Sequence, residues 1–485
     1  MLKLILSQAN WGILGSAFGF LIGFLVKIYL INVVGVDSWG IFVSAQTFSS
    51  FFDTILSLGI PWIIIKYLPN YFEDNILEAK NLIYKILKYT VSASILFLLF
   101  SWFFSPILDS YVYNKIDNFS FILFLVSVNV PISIFTSVII ALYRSVFKIK
   151  EIVIYNTLFS VPIRAILTFF IFQYTSNIIY FILIELLVST LILILLFYLF
   201  NKNEFSIFSA VDKKTNLDAS VILYGKKMYY NSLISFFSAQ SLSLIISIKL
   251  TPDQIGIYSI LLTVSGVTMF IVKNINKIFA PAITKLYNEN NISKLSSIYK
   301  QVTFIVNLFT LPFVILIILF ANDILNLYDK SGSLIQYSSF LYILMLARIF
   351  TLISGSSGMI MIMAGLEDKE LKIQIIKAVL ITILAFYLIN IYGLFAMIIL
   401  FVLFMFYINI AQLIIIKKYL HISPFGKNLI FLILISIILM YFSINFSYNF
   451  NLLHYIIIPI LLYGFYFVIF YKKIKQIYLN SFQDD

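Results

Sequence analysis

Lys27, Asp53, Arg164, Glu185 and Arg348 are the side chains on which any chemistry of this chain must rest. Each lies inside a hydrophobic run long enough to cross a bilayer, which takes about 20 apolar residues. An arginine at mid-membrane costs at least about 2.5–3.5 kcal/mol on insertion scales, so a buried partner or water is expected beside it. Arg164 follows Pro162 by two residues, and Glu185 on the next run sits at a matching depth, roughly 12–18 Å below the same surface. The two can meet as an ion pair fixing two helices, or they can face a polar lumen. Arg348 lies at a comparable depth and precedes Ser354-Gly-Ser-Ser-Gly358. Small polar residues of that kind suit a water-filled cavity or tight helix contact, and the cavity is favoured here. Asp53 is a candidate proton or sodium site, the alternative being a pair with Lys27 across adjacent helices. Lys27 either snorkels to the outer surface or faces a lumen.

Enzymatic signatures do not occur. The chain has no cysteine and only two histidines, His421 and His454, both in polar connections. It contains neither H-E-x-x-H nor a phosphate-cradling G-x-x-x-x-G-K, and no soluble stretch is long enough to fold a nucleotide-binding domain. No metal or cofactor is expected. These features point away from an enzyme and towards transport driven by H+ or Na+, by the cargo's own gradient or by a partner.

The elements that place these side chains follow from composition. A chain that is 62% hydrophobic and 11% charged is no soluble domain, where charged residues run near about 25%. Fourteen spanning helices are predicted, at 10–34, 40–65, 84–106, 119–143, 152–173, 177–200, 228–248, 255–278, 301–321, 337–363, 372–390, 393–416, 428–446 and 453–471. Trp11 to Val34 is too long for a signal-peptide core and is expected to stay as the first span. Every second connection is basic: Lys66 to Lys88, Arg144 to Lys150, Lys202 to Lys227, Lys273 to Lys300, Lys369 to Lys377 and Lys417 to Lys427, with Lys472, Lys473 and Lys475 in the tail. The intervening ones hold Lys115, Lys249 and Lys330 beside Asp37, Asp109, Asp117, Asp253, Asp323 and Asp329. That alternation predicts both termini on the cytoplasmic side. It also assigns the net charge of +12 to loops facing anionic membrane lipids rather than to nucleic acid.

An internal repeat organises the whole. Residues 35–76 return as 251–292, with Asp37, Gly40, Ile41, Thr47, Ser49, Tyr71, Glu73, Asn75 and Ile76 matched by Asp253, Gly256, Ile257, Thr263, Ser265, Tyr287, Glu289, Asn291 and Ile292. Six helices separate the copies, so the repeats share one orientation in the membrane. The expected fold class is an all-α polytopic membrane protein: a six-helix lobe over 1–200, a linker over 201–227, a second six-helix lobe over 228–416, and two additional helices with a basic tail over 417–485. On the first helix Gly15, Gly19 and Gly23 recur every four residues, which predicts close packing of a neighbouring helix.

Three segments carry a resemblance. Val34-Gly-Val-Asp-Ser-Trp-Gly-Ile-Phe, Leu56-Ser-Leu-Gly-Ile-Pro and Ile65-Lys-Tyr-Leu-Pro resemble the opening of Wzx-type polysaccharide and O-antigen repeat-unit flippases of the multidrug/oligosaccharidyl-lipid/polysaccharide (MOP) exporter superfamily. Gly35, Gly40, Gly59 and Lys66 hold the family's motif places, with Val34 where leucine is usual. The resemblance implies a V-shaped pair of lobes worked by alternating access in the bacterial inner membrane. The implied cargo is an undecaprenyl-pyrophosphate-linked oligosaccharide, and polysaccharide polymerase machinery is the implied partner. Arg164 and Arg348, with Lys27 behind them, are then the expected phosphate-binding cations, and Asp53 and Glu185 the expected ion-coupling carboxylates. The fold is shared by peptidoglycan lipid II flippases and by cation-coupled multidrug antiporters, which stay as alternatives, as does a non-transporting membrane scaffold. The antiporters usually have twelve helices and often an aspartate with proline on the first; neither residue occurs on the first helix here.

Overall fold

The repeat sets where helices begin. The computed structural model describes residues 2–57, 59–74, 76–111, 119–146, 148–205, 219–445 and 453–481, and all regular secondary structure among them is helical. In chain order the helices are α1 (Leu2–Val34), α2 (Val36–Leu56), α3 (Ile60–Asp74), α4 (Ile76–Tyr111), α5 (Phe119–Ser145), α6 (Ile149–Ile152), a π-helical stretch Val153–Phe159, α7 (Ser160–Ile171) and α8 (Ile178–Asn203). Then follow α9 (Ala219–Lys249), α10 (Pro252–Gly266), α11 (Met269–Asn288), α12 (Ile292–Leu319), α13 (Ala321–Tyr328), α14 (Ser338–Ser354), α15 (Ser357–Met363) and α16 (Glu367–Leu420). After these come α17 (Lys427–Asn445) and α18 (His454–Ser481). The offset that carries residue 35 to 251 also carries the first residues of α2 and α4 onto those of α10 and α12. It carries Asn177, which caps α8 by accepting from the Ile179 amide, onto Gly393, where α16 turns at φ 53° and ψ −132°.

Eleven described helices are long and apolar enough to cross a membrane, or thirteen when two helix pairs bent by more than 40° each count as one span. The turn at Gly393 divides α16 into two helices, which gives the fourteen spans expected from the sequence. The bent pairs are α2 with α3 and α10 with α11, at the positions predicted as single spans over 40–65 and 255–278. Leu58 and Asn75 of the quoted motifs, Lys115 and Asp117, and 206–218 of the expected linker lie outside the described residues.

One compact unit comprises Met1–Ile257. Its central helix is α5, which packs against α2, α3, α4 and α8. Val126, Val130, Ile134 and Val138 recur every four residues along the buried face of α5, the period that keeps one stripe turned inward. The π-helical stretch ends just before Pro162, whose ring would clash with the carbonyl four residues earlier; the wider turn relieves that clash. Against this stretch lies α1, with Gly15 facing Val153 and Gly19 facing Thr157, as its small-residue spacing predicts, whereas Gly23 faces open space. The two copies of the repeated loop also meet here, backbone against backbone. A Cβ on Gly40 would collide with the Pro252 carbonyl, and one on Gly256 with the Val36 carbonyl.

The other unit comprises Tyr258–Asp485. Its central helix is α12, on which α14, α17 and α18 pack. Of the most apolar stretch of α12, 72% is buried, against 22% for α4, its counterpart in the first copy. The difference comes from the two helices outside the repeat. The Tyr463 hydroxyl on α18 donates to the Phe309 carbonyl at 2.9 Å, and the Phe470 ring meets Phe304 at 5.5 Å.

Because no flexible side chain separates the loops at Gly40 and Gly256, an added methyl must move backbone. Gly40→Ala and Gly256→Ala are each expected to destabilise the purified protein by about 3 kcal/mol, the upper range for overpacking. Gly464→Ala, which meets nothing within 4 Å, is the matched control. Thermal unfolding in detergent reads the difference, with the two loop variants melting well below the control.

Candidate functional site

Four polar residues of α2, Gln46, Ser49, Ser50 and Asp53, are spaced so that they share one helical face. On α5, Asn129 and Ser133 stand one turn apart, and Glu185 projects from α8. Together with Phe42, Val126, Val130, Ile182 and Leu186 they line a cavity of about 170 Å³ inside the first unit. The Ser133 hydroxyl donates to the Asp53 carboxylate, while Asp53 Oδ1 is buried with no hydrogen-bond partner among the described residues. The Ser49 hydroxyl donates to the Val126 carbonyl at 3.0 Å, which ties α2 to α5 at the cavity wall.

Arg164 and Glu185 meet as their depths predict. Arg164 Nη1 lies 3.3 Å from Glu185 Oε2, and Nη2 donates to the Ser189 hydroxyl at 2.9 Å. The ion pair therefore ties α7 to α8 and, through Glu185, forms one edge of the cavity. Arg164 Nε remains buried without a partner among the described residues. Lys27 turns to an aromatic cluster, its Nζ 4.8 Å from the centroid of the Trp39 ring, which in turn meets Phe42 at 5.2 Å. Asp53, Glu185, Arg164 and Lys27 thus belong to one neighbourhood, which the sequence alone could not establish. The lining combines two carboxylates with an amide from Asn129, an amide from Gln46 and serine hydroxyls. Such a set suits a proton or a small cation. No group of three or more His, Cys, Asp or Glu that could hold a metal ion occurs among the described residues.

Arg348 lies in the other unit, on α14. Its guanidinium stands 5.0 Å from the centroid of the Phe401 ring and lies near Gly266, where an added Cβ would be in ordinary contact with it at 4.0 Å. Arg348 Nε is buried with no hydrogen-bond partner among the described residues. A guanidinium held on an aromatic face is attracted by the ring quadrupole but keeps its charge and most of its donors for another acceptor.

At Ser354-Gly-Ser-Ser-Gly358, where a cavity was expected, the described residues form a buried clamp. Gly355 adopts φ 63° and breaks the helix between α14 and α15, and Ser354, Ser356 and Ser357 are all buried. The carbonyls freed by the break need donors. Tyr299 donates to the Ser354 carbonyl at 2.6 Å, and Asn307 Nδ2 donates to the Leu352 carbonyl at 2.8 Å. The Ser354 hydroxyl donates to Asn409 at 2.6 Å, and that of Ser357 to Gln412 at 2.7 Å. Gln412 Nε2 then reaches both oxygens of buried Glu370, at 2.9 and 3.0 Å. Asn307 Nδ2 also donates to the Thr303 carbonyl of its own helix at 2.8 Å.

The cavity's amide and hydroxyl groups were the residues that sequence reasoning passed over. Gln46, Ser49 and Ser50 had a signal, since with Asp53 they form a polar stripe at helical spacing on a membrane helix. Asn129, two residues before Pro131, lines the cavity as well.

With this geometry in hand, the chain can be set beside known proteins. No curated protein matches it. Among solved structures, lipid II flippase MurJ in an inward closed conformation superposes with a TM-score of 0.74 at 15% identity, covering 95% of this chain and 98% of that one. An inward-facing multidrug resistance MATE family transporter of the MOP superfamily gives 0.63 at 15% identity, covering 88% and 96%. A MOP superfamily transporter from Pyrococcus furiosus, described by the reversed polarity of its binding pocket, gives 0.57 at 14% identity, covering 91% and 96%. These likenesses establish the fold, a multi-pass helical architecture common to MurJ and MATE transporters. The profile of one sequence family, described as polysaccharide biosynthesis protein, matches residues 32–328, more than half of the chain. On that match, the chain belongs to the polysaccharide biosynthesis protein family.

Proposed function

We propose that this protein is a flippase that carries an undecaprenyl-pyrophosphate-linked oligosaccharide repeat unit across the bacterial cytoplasmic membrane by alternating access. The observation that carries the reading is Arg348: a guanidinium in a membrane helix, seated on Phe401, with no carboxylate recorded against it and a buried Nε without a partner among the described residues. A charge at that depth is costly unless something anionic comes to meet it. The planar fork of arginine fits phosphate oxygens two at a time, which a pyrophosphate offers. Arg164 is already engaged by Glu185 and Lys27 by Trp39, so they rank behind Arg348 as cargo contacts. Arg164 joins the cargo only by exchanging its carboxylate.

Asp53 and Glu185 act, in this reading, as the ion-coupling pair, holding H+ or Na+ in the cavity between α2, α5 and α8. The alternation of lysine and arginine supports both termini on the cytoplasmic side, where the cargo is made. The two repeat copies supply two six-helix lobes, α17 and α18 stand outside them, and polysaccharide polymerase machinery takes the product on the outer face.

A second reading has its own support. The extent of the likeness to lipid II flippase MurJ, at a TM-score of 0.74, fits peptidoglycan lipid II as cargo. Both cargoes present a lipid pyrophosphate to Arg348. Rescue of cells depleted of their lipid II flippase, with no effect of deletion on surface glycan, would assign the second reading and overturn the first.

Arg348→Ala is expected to lower surface-glycan export at least about tenfold at unchanged membrane abundance, the effect of losing one charge-assisted phosphate contact. Arg348→Lys should recover only part, because an ammonium lacks the planar fork. Full export by Arg348→Ala would remove the phosphate role. Asp53→Asn should abolish the response of export to the proton or sodium gradient while leaving the folded amount unchanged; a response equal to that of the parent protein rejects coupling at this cavity. For the ion pair, Arg164→Ala alone should destabilise by roughly 3 kcal/mol, since it leaves Glu185 unneutralised, and Arg164→Ala with Glu185→Ala should recover much of that loss. Unfolding midpoints of the two variants in detergent read the comparison.

A further inference from the structure

Two hydrogen-bond donors of the second unit lie together, and neither has an acceptor among the described residues. Arg348 is one, with its Nε buried and unmet. The other is Tyr258 on α10, a side chain only 4% exposed. Its hydroxyl stands within electrostatic range of the Arg348 guanidinium, yet no hydrogen bond joins the two. A buried tyrosine usually finds a partner for its hydroxyl. Here the neighbour within range is a cation, which can only donate.

The repeat explains why these side chains meet. At its offset Tyr258 corresponds to Phe42, Gly266 to Ser50 and Phe401 to Glu185. All three counterparts line the cavity of the first unit. In the second unit the same positions gather round Arg348, with the Phe401 ring 5.0 Å from the guanidinium and Gly266 beside it. Tyr258 thus holds the place that Phe42 holds at the first cavity, with a hydroxyl added. Where one copy gathers acids, the other gathers a guanidinium and a phenol. Two donors of this kind at one place suit a single anionic acceptor.

We propose that Tyr258 is a cargo contact that selects phosphate, its hydroxyl donating to the same phosphate group that Arg348 holds. This role rests on the pyrophosphate reading of Arg348 and adds a donor that the guanidinium cannot supply. The planar fork of arginine engages two oxygens lying in one plane. A carboxylate has only those two, so the fork alone satisfies it. A tetrahedral phosphate keeps a further oxygen out of that plane, and the phenol is the donor for it. A hydroxyl also suits the membrane better than a second cation would. Burying a neutral donor costs a few kcal/mol at most on mutational scales, roughly 1–3, whereas an isolated charge costs far more. The pair therefore recognises a phosphate with one charge and two kinds of donor.

Binding of farnesyl pyrophosphate to the full-length protein in detergent, read by thermophoresis, tests it. Tyr258→Phe should weaken that binding about tenfold, the effect of losing one hydrogen bond to a charged group. Farnesoic acid, which carries a planar carboxylate on the same tail, should bind the parent and Tyr258→Phe alike. Before ligand is added, Tyr258→Phe should melt no lower than the parent, because the hydroxyl it removes bonds nothing within the protein. A lower melting temperature, or an equal loss for farnesoic acid, would make the hydroxyl a structural group and overturn the proposal. Arg348→Ala separates this role from the reading beneath it. Loss of binding in Arg348→Ala with parent-like binding in Tyr258→Phe overturns the role of Tyr258 alone, whereas parent-like binding in Arg348→Ala overturns both. Displacement of farnesyl pyrophosphate by equimolar inorganic pyrophosphate would make the pair a site for a free anion, and would overturn it as a cargo contact.

Discussion

Inside a bilayer no water is at hand to meet a polar group, so each charge and each broken carbonyl must find its partner within the protein. Most features of this chain follow from that single demand. The break at Gly355 frees carbonyls, and Tyr299 and Asn307 are placed to meet them. Arg164 is met by Glu185 and Ser189 from one neighbouring helix. Asp53 is met in part by Ser133. Against this background the unmet atoms among the described residues stand out. Asp53 Oδ1 and Arg348 Nε are two of them, one an acceptor in the first unit and the other a donor in the second.

The same demand explains why so much of the architecture was legible from sequence. Helices are the open-chain solution that satisfies backbone within a membrane, so apolar length locates them directly. The repeat at 35–76 and 251–292 then gives a register, and the starts of α10 and α12 confirm it at both ends of the matched segment. Where the prediction over 40–65 saw one span, the structure has two helices joined at Ser57–Gly59, because Gly59 adopts φ 68° and lets the chain turn. Hydropathy does not register a turn that stays inside the apolar layer. The second copy breaks at Val267–Thr268, which the offset places near residues 51–52, so the bends of the two copies are out of register although their loops are in register.

Side-chain chemistry was less legible. The pairing of Arg164 with Glu185 could be read because opposite charges at one depth on consecutive helices have few other options. Ser354-Gly-Ser-Ser-Gly358 could not, since small polar residues serve a water-filled cavity and a dry clamp equally well. The deciding partners, Tyr299, Asn409 and Gln412, lie 55 residues away in sequence and enter only through packing. The stripe Gln46, Ser49, Ser50 and Asp53 was visible in principle, yet serine in a membrane helix so often bonds its own backbone that it gives a weak signal. Ser50 shows both, bonding the Thr47 carbonyl while lining the cavity.

Divergence between the copies gives the charges their meaning. At the repeat offset Asp53 corresponds to Met269, Arg164 to Leu380, Glu185 to Phe401 and Arg348 to Ile132. The residue under the Arg348 guanidinium is therefore the counterpart of the carboxylate that neutralises Arg164. Where a carboxylate stands, the arginine beside it becomes half of an ion pair and its charge is spent on holding two helices together. Where phenylalanine stands, the arginine is held by a ring face, which attracts a cation without cancelling it. A single lobe with both acids and an open arginine would collapse into internal pairs. Two copies of one fold let the acids occupy the first and the open arginine the second. That separation keeps two carboxylates at one cavity and a guanidinium seated on a ring face within the same chain.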